Sequence, residues 1–157
     1  MSTTPITPDE ILYRRVPSGR GLYSFLPDGR IGIEPTAFED RGCRISVDRA
    51  ALCANDPWHT LNQEDDGKDG GVVSLVTSDV RAIKNIYRMG RNERVLREFT
   101  IDVEHVPLPN NDAHAEIYGI PEFIDIDKKR AFRRLRHRLA ELAEKRPWEI
   151  EPQRPHI

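Results

Sequence analysis

The sequence predicts an α+β fold: a small, mainly antiparallel sheet with short helices and one C-terminal amphipathic helix. Three observations carry that expectation. Val72 to Thr77 is nearly continuously apolar, as a strand covered on both faces would be. Residues 43–47 and 99–104 alternate apolar with polar side chains, the period of a half-buried strand. Phe132, Leu135, Leu139, Leu142 and Ala143 recur at helical spacing. A chain of 157 residues suits a single core. Its organisation reads as a flexible N-terminus over 1–10, one α+β domain over 11–146 and an irregular tail over 147–157.

The elements follow in order. Thr-Pro steps before Ile11 favour extended, frayed backbone. Ile11 to Val16 has the bulk of a strand, and Pro17 to Gly21 and Pro27 to Arg30 carry turn chemistry on either side of Leu22 to Leu26. Ile31 to Ile33 reads as another short strand. In the strand from Cys43, the residues Cys43, Ile45 and Val47 share one face while Arg44 and Ser46 share the other. Asp48 is positioned to cap a short helix through Cys53. Trp58 follows Asp56-Pro57 and is expected against the core. Asn62 to Gly71 is acidic and glycine-rich, with little apolar surface to offset its ordering entropy, and reads as a mobile loop. Val72 to Thr77 is expected at the centre of the sheet, with Thr77 or Ser78 capping the helix after it. Residues 88–98 read as helix or loop. The strand from Phe99 ends near Pro107 to Pro109, and Ala113 to Tyr118 is a candidate last strand that can form a hairpin with it. The final helix spans about 127–145, capped by Asp125 or Asp127 and stopped by Pro147.

Composition excludes several classes. A net charge of −2 argues against a polycationic nucleic-acid coat and against an acidic solvating tail. No apolar run is long enough to span a bilayer, and the first residues lack the layout of a secretion signal, so a cytoplasmic protein without membrane contact is expected. Cys43 and Cys53 are expected as reduced thiols.

Charge is distributed unevenly. Residues 128–157 hold ten Lys or Arg against four acids, whereas the remaining 127 residues carry fourteen bases and twenty-two acids. On a helical wheel Arg133, Arg134, Arg138 and Lys145 lie opposite the apolar stripe, with Arg130 and His137 between. This face is the candidate partner-binding surface. Another protein is the expected partner, and nucleic acid is an alternative whose affinity would fall with salt. The leading function is therefore a binding or interaction module, a regulator or effector in a small bacterial system. The plainer reading is a solvated helix face, or a helix docked on the acidic remainder of its own domain.

A second set of candidates comprises Arg14, Arg15, Ser46, His114 and Glu116. Their order, arginine then serine then glutamate, resembles the loose pattern of ADP-ribosyltransferases. That resemblance implies an NAD-consuming enzyme in which the arginine holds pyrophosphate, the serine positions the nicotinamide ribose and the glutamate stabilises an oxocarbenium ion. NAD would be its cofactor; the binding-module reading needs none. The serine-threonine-serine strand and paired-glutamate loop of that family are not present. The stretches Leu12 to Arg15, Ile45 to Arg49 and Asn111 to Ile117 also resemble a group of short uncharacterised bacterial proteins, which implies one surface shared by Arg14 or Arg15, Ser46, His114 and Glu116. His59, His105 and His114 show no close ligand spacing to one another or to a cysteine, so no metal site is expected. His105 and His114, flanking the proposed hairpin, can approach across its strands.

Overall fold

The computed structural model describes residues 5–84, 87–89, 94–97, 99–120 and 128–155. It has the α+β architecture expected, with a five-stranded antiparallel sheet as its frame. The strands are β1 (Ile11–Val16), β4 (Ile45–Arg49), β5 (Gly71–Val76), β8 (Asp102–His105) and β9 (His114–Tyr118), in the order β5-β1-β4-β9-β8. Two short ribbons lie outside it: β2 (Tyr23–Phe25) with β3 (Ile31–Ile33), and β6 (Tyr87–Met89) with β7 (Arg94–Arg97). The second ribbon falls where the sequence offers helix or loop. Helices α1 (Pro57–Leu61) and α2 (Thr77–Arg81) are single turns, while α3 (Lys128–Glu144) has 17 residues. The proposed α3 caps, Asp125 and Asp127, lie outside the described residues.

The parity of the pairing sorts side chains onto two faces. Leu12, Arg14 and Val16 of β1 point to the same side as Val73 and Leu75 of β5, Ile45 and Val47 of β4, and Ala115 and Ile117 of β9. With Ala131, Phe132, Leu135, Leu139, Ala140 and Ala143 of α3, most of these residues form one buried cluster. The apolar stripe of α3 is thus buried, as its spacing predicts. The opposite face carries Tyr13, Arg15, Ser46, Asp48, His114 and Glu116. A smaller cluster of Tyr13, Ala50, Cys53, Leu61, Val72, Ala113 and Ile150 packs on that side.

Several local expectations give way to tertiary structure. The apolar strand β5 is at the edge of the sheet, not its centre. Its free edge is covered by the C-terminal tail, where Val72 N–H donates to the Ile150 carbonyl and Glu149 and Ile150 donate back to Val72. Both faces are covered as well, which explains the apolar run without a central position. Gly71 permits this approach, since a Cβ there would lie 2.2 Å from the Ile150 carbonyl oxygen. Asp48 caps nothing: β4 continues through Arg49 into a 3-10 turn over Ala50–Cys53 that has no side-chain cap. Asp56 is the residue that caps α1, accepting from Trp58 N–H. Trp58 itself is 54% exposed, because its position in the first turn of α1 turns it outward. Thr77 does not cap α2; its hydroxyl donates to the Glu10 carbonyl.

That last bond belongs to a set that ties down the segment before β1. Ser78 N–H donates to Pro8, Thr77 N–H to Glu10 and Arg81 Nη2 to Ile6. The Glu10 carboxylate accepts from Arg49 Nε and Nη2, each at 2.8 Å, and Arg49 is 1% exposed. Residues 5–10, expected to be frayed, are held by an ion pair and backbone bonds that connect positions far apart in the chain. The acidic loop is likewise tethered, by Ser18 N–H to Gly67 and by the ion pair Arg20–Asp66. Cys43 and Cys53 are free thiols; burial, followed by the nearby Asp48 charge, pushes the Cys53 thiol up to about 11. Among the described residues no helix is long and apolar enough to cross a membrane.

Candidate functional site

The β1–β4 ladder is short. It includes Leu12 opposite Arg49 and Tyr13 opposite Asp48, and then the strands part. Ser46, two residues before Asp48 on β4, would otherwise leave its backbone N–H and carbonyl unpaired on that side. An ion pair takes the place of the missing strand. Asp40 Oδ2 accepts from Ser46 N–H at 2.7 Å, and Arg14 Nη1 donates to the Ser46 carbonyl at 2.8 Å. Arg14 and Asp40 are themselves joined by a two-pronged contact, Nη1 to Oδ2 at 2.8 Å and Nη2 to Oδ1 at 3.0 Å. Arg14 Nε donates to the Ala37 carbonyl at 3.0 Å. Burial works to raise the Asp40 pKa, but Arg14, the Ser46 N–H and the neighbouring His114 together hold it below the ordinary carboxylate value.

On the polar face this parting opens into a cleft of about 350 Å³. Arg14, Arg15, Ser46, Asp48, Asn111 and His114 are among the residues that line it. The Ser46 hydroxyl lies 3.1 Å from His114 Nε2, and His114 Nδ1 lies 2.7 Å from the Val106 carbonyl. A carbonyl only accepts, so Nδ1 carries the proton of the neutral ring and Nε2 presents its lone pair. In the neutral ring Ser46 O–H therefore donates to His114 Nε2. All three polar groups of Ser46 have defined partners: N–H on Asp40, carbonyl on Arg14 and hydroxyl on His114.

Beside His114, and opposite it in the β4–β9 register, is Asp48. It is 4% exposed and accepts from Thr60 Oγ1 and Asn111 Nδ2, each at 2.7 Å. Asn111 Oδ1 accepts the Ala113 N–H at 3.2 Å and lies 2.9 Å from His59 Nε2. Arg15 is held by the Leu61 carbonyl at 2.9 Å and by the Asp66 carbonyl, with Glu64 3.9 Å away.

Arg14, Arg15, Ser46 and His114 therefore meet in one cleft. Glu116 does not line it. Although Glu116 is paired with Ser46 in the sheet register, its carboxylate is engaged by Arg44 Nε at 2.6 Å, and the Arg44 guanidinium sits 4.8 Å over the Tyr118 ring. Asp40, Asp48, Thr60 and Asn111 are among the polar residues lining the cleft that the sequence did not mark as site residues. Only Asp48 had a visible signal, its parity with Ser46, and cap chemistry offered a competing use for it. His105 faces the same side of the hairpin as its partner Ala115, away from His114. Among the described residues no group of three or more His, Cys, Asp or Glu side chains is placed to hold a metal ion.

The cationic face of α3 lies away from the cleft. Arg130, Arg133, Arg134, His137, Arg138 and Lys145 are exposed, and Arg138 pairs with Glu141 at 2.9 Å. The chain matches no protein family, no curated protein and no solved structure.

Proposed function

We propose that the protein is an acyl-transferring or ester-hydrolysing enzyme, with Ser46 as nucleophile and His114 as general base. The observation that carries this reading is the 3.1 Å contact between the Ser46 hydroxyl and a His114 ring whose far nitrogen is fixed by a carbonyl, inside a cleft. In the reaction, His114 Nε2 takes the Ser46 proton as Oγ attacks the acyl carbon of an ester. Collapse of the tetrahedral adduct breaks the bond to the alkoxy group, which leaves as the alcohol with the proton from His114. Water, deprotonated by His114, then cleaves the acyl-serine and releases the acid, and serine regains its proton. The Val106 carbonyl does the orienting that a carboxylate does in other serine–histidine pairs. Arg14 and Asp40 act as positioning residues through the Ser46 backbone.

Labelling with an alkyl fluorophosphonate tests this reading, since attack forms the O–P bond, expels fluoride and leaves a mass tag on the nucleophile. The tag is expected on Ser46, absent in Ser46→Ala, and slowed about 100-fold in His114→Gln, the lower range for loss of a general base. A tag on another residue, or equal rates in the parent and His114→Gln, would overturn the assignment.

A second reading, an interaction module contacting a charged protein or nucleic acid, is favoured by the exposed cations of α3. Titration with duplex oligonucleotide and with polyglutamate at two salt concentrations tests it. Binding that weakens with salt and is lost when Arg133, Arg134 and Arg138 become glutamine is expected. No binding at low salt removes it.

A further inference from the structure

The serine–histidine reading leaves one buried carboxylate in the cleft without a use. Asp48 is nearly as buried as the apolar core, yet it takes part in no ion pair among the described residues; its partners are the neutral Thr60 hydroxyl and Asn111 amide. The three guanidinium groups lining the cleft are engaged elsewhere: Arg14 on Asp40, Arg15 on the Leu61 and Asp66 carbonyls, and Arg20 on the Asp66 carboxylate. A carboxylate has about four acceptor sites, so Thr60 and Asn111 leave about half of them open. Buried carboxylates ordinarily meet a cation or a metal, because neutral hydrogen bonds recover only part of the lost hydration. Asp48 lines the same cleft as Ser46.

We infer that Asp48 receives an ammonium group of the substrate, so that the cleft takes aminoacyl esters, with the acyl carbon at Ser46 Oγ and the α-ammonium at Asp48. This rests on the proposed role of Ser46 and narrows its substrate class. The spacing suits it. Ser46 and Asp48 are two residues apart on one face of β4, a separation of about 7 Å along the strand. An attacking oxygen stands about 3 Å from the acyl carbon, the α-nitrogen is two bonds further on, and an ammonium–carboxylate contact adds about 2.8 Å. A bent path with those links spans the distance. Thr60 and Asn111 fix the Asp48 carboxylate from two sides, so little ordering cost remains when the cation arrives.

The test compares the 4-nitrophenyl esters of alanine, N-acetylalanine and propionic acid with the full chain at pH 6.5, spontaneous hydrolysis subtracted. The alanine ester is expected to exceed the other two in kcat/KM by 30-fold or more. Alaninamide, which carries the ammonium without the ester, is expected to inhibit turnover of the propionate ester competitively. Asp48→Asn should remove both effects, each of which is read as a ratio within one variant and so does not depend on that variant's basal rate. Because Asp48 is buried, the circular dichroism of that variant is compared with the parent; if the variant does not fold, the wild-type preference and the alaninamide inhibition decide. Equal turnover of charged and uncharged esters, with no inhibition by alaninamide, overturns the role of Asp48 and leaves Ser46 standing. Failure of every ester to turn over or to acylate Ser46 overturns the proposed function, and this inference with it.

Discussion

The two faces of β4 are built by different rules. On one, Ile45 and Val47 share a buried cluster with strands β1, β5 and β9 and with α3. Each contact there is one of many and is non-directional, so the cluster tolerates exchange of one apolar shape for another. On the other face, Ser46 and Asp48 stand in a set of hydrogen bonds in which each donor has a named acceptor. Removing one partner there strands the other. This strand serves as both core and site, and the two roles should separate under mutation.

The largest effect on stability is expected where the apolar side admits charge. Glu10→Ala strands Arg49, one of the most deeply buried side chains in the molecule, and should cost about 3–5 kcal/mol in urea unfolding. A loss below 1 kcal/mol would mean that residues 5–10 are not anchored as described. Next is Leu139→Ala, which removes a fully buried side chain of α3 from beneath the sheet and should cost about 2–5 kcal/mol. Its Ser46 labelling rate, measured under folding conditions, should match the parent; a large drop in a folded protein would show that the two faces are coupled.

A smaller effect belongs to pH. The Asp40 carboxyl titrates below its ordinary value in the folded chain, so in acid the unfolded chain binds more protons and stability falls as pH falls. That contribution is fully present above the unfolded carboxylate value of about 3.9 and is lost as pH drops through the depressed folded one. Asp40→Asn should be less stable than the parent at pH 6, with the difference shrinking toward pH 3. Parallel acid profiles would count against the Arg14–Asp40 clamp. The smallest change is expected far from both faces. Arg133, Arg134 and Arg138 are exposed, and changing each to glutamine should move stability by no more than about 0.5 kcal/mol.

Much of the frame was legible from residue order alone. Alternation at 43–47 and helical spacing from Phe132 reported which side chains are buried, because burial follows the backbone's own period. Placement was less legible. An apolar run such as Val72 to Val76 signals cover on both faces, and a tail laid along an edge strand supplies that cover as well as a neighbouring strand would. Cap chemistry at Asp48 and Thr77 was outbid by partners distant in sequence: Thr60 and Asn111 for one, Glu10 for the other.

For the candidate site, residue order alone determined that His114 and Glu116 share a face of one strand, since parity is a property of the chain, whereas tertiary structure carried the strand of Ser46 on through Asp48. Only tertiary structure decided that His114 meets Ser46 while Glu116 turns to Arg44, and that Arg14 and Asp40 fill the place where β1 leaves β4. Register between strands depends on how two apolar faces settle together over the core, and that balance of many weak contacts is not written at any single position.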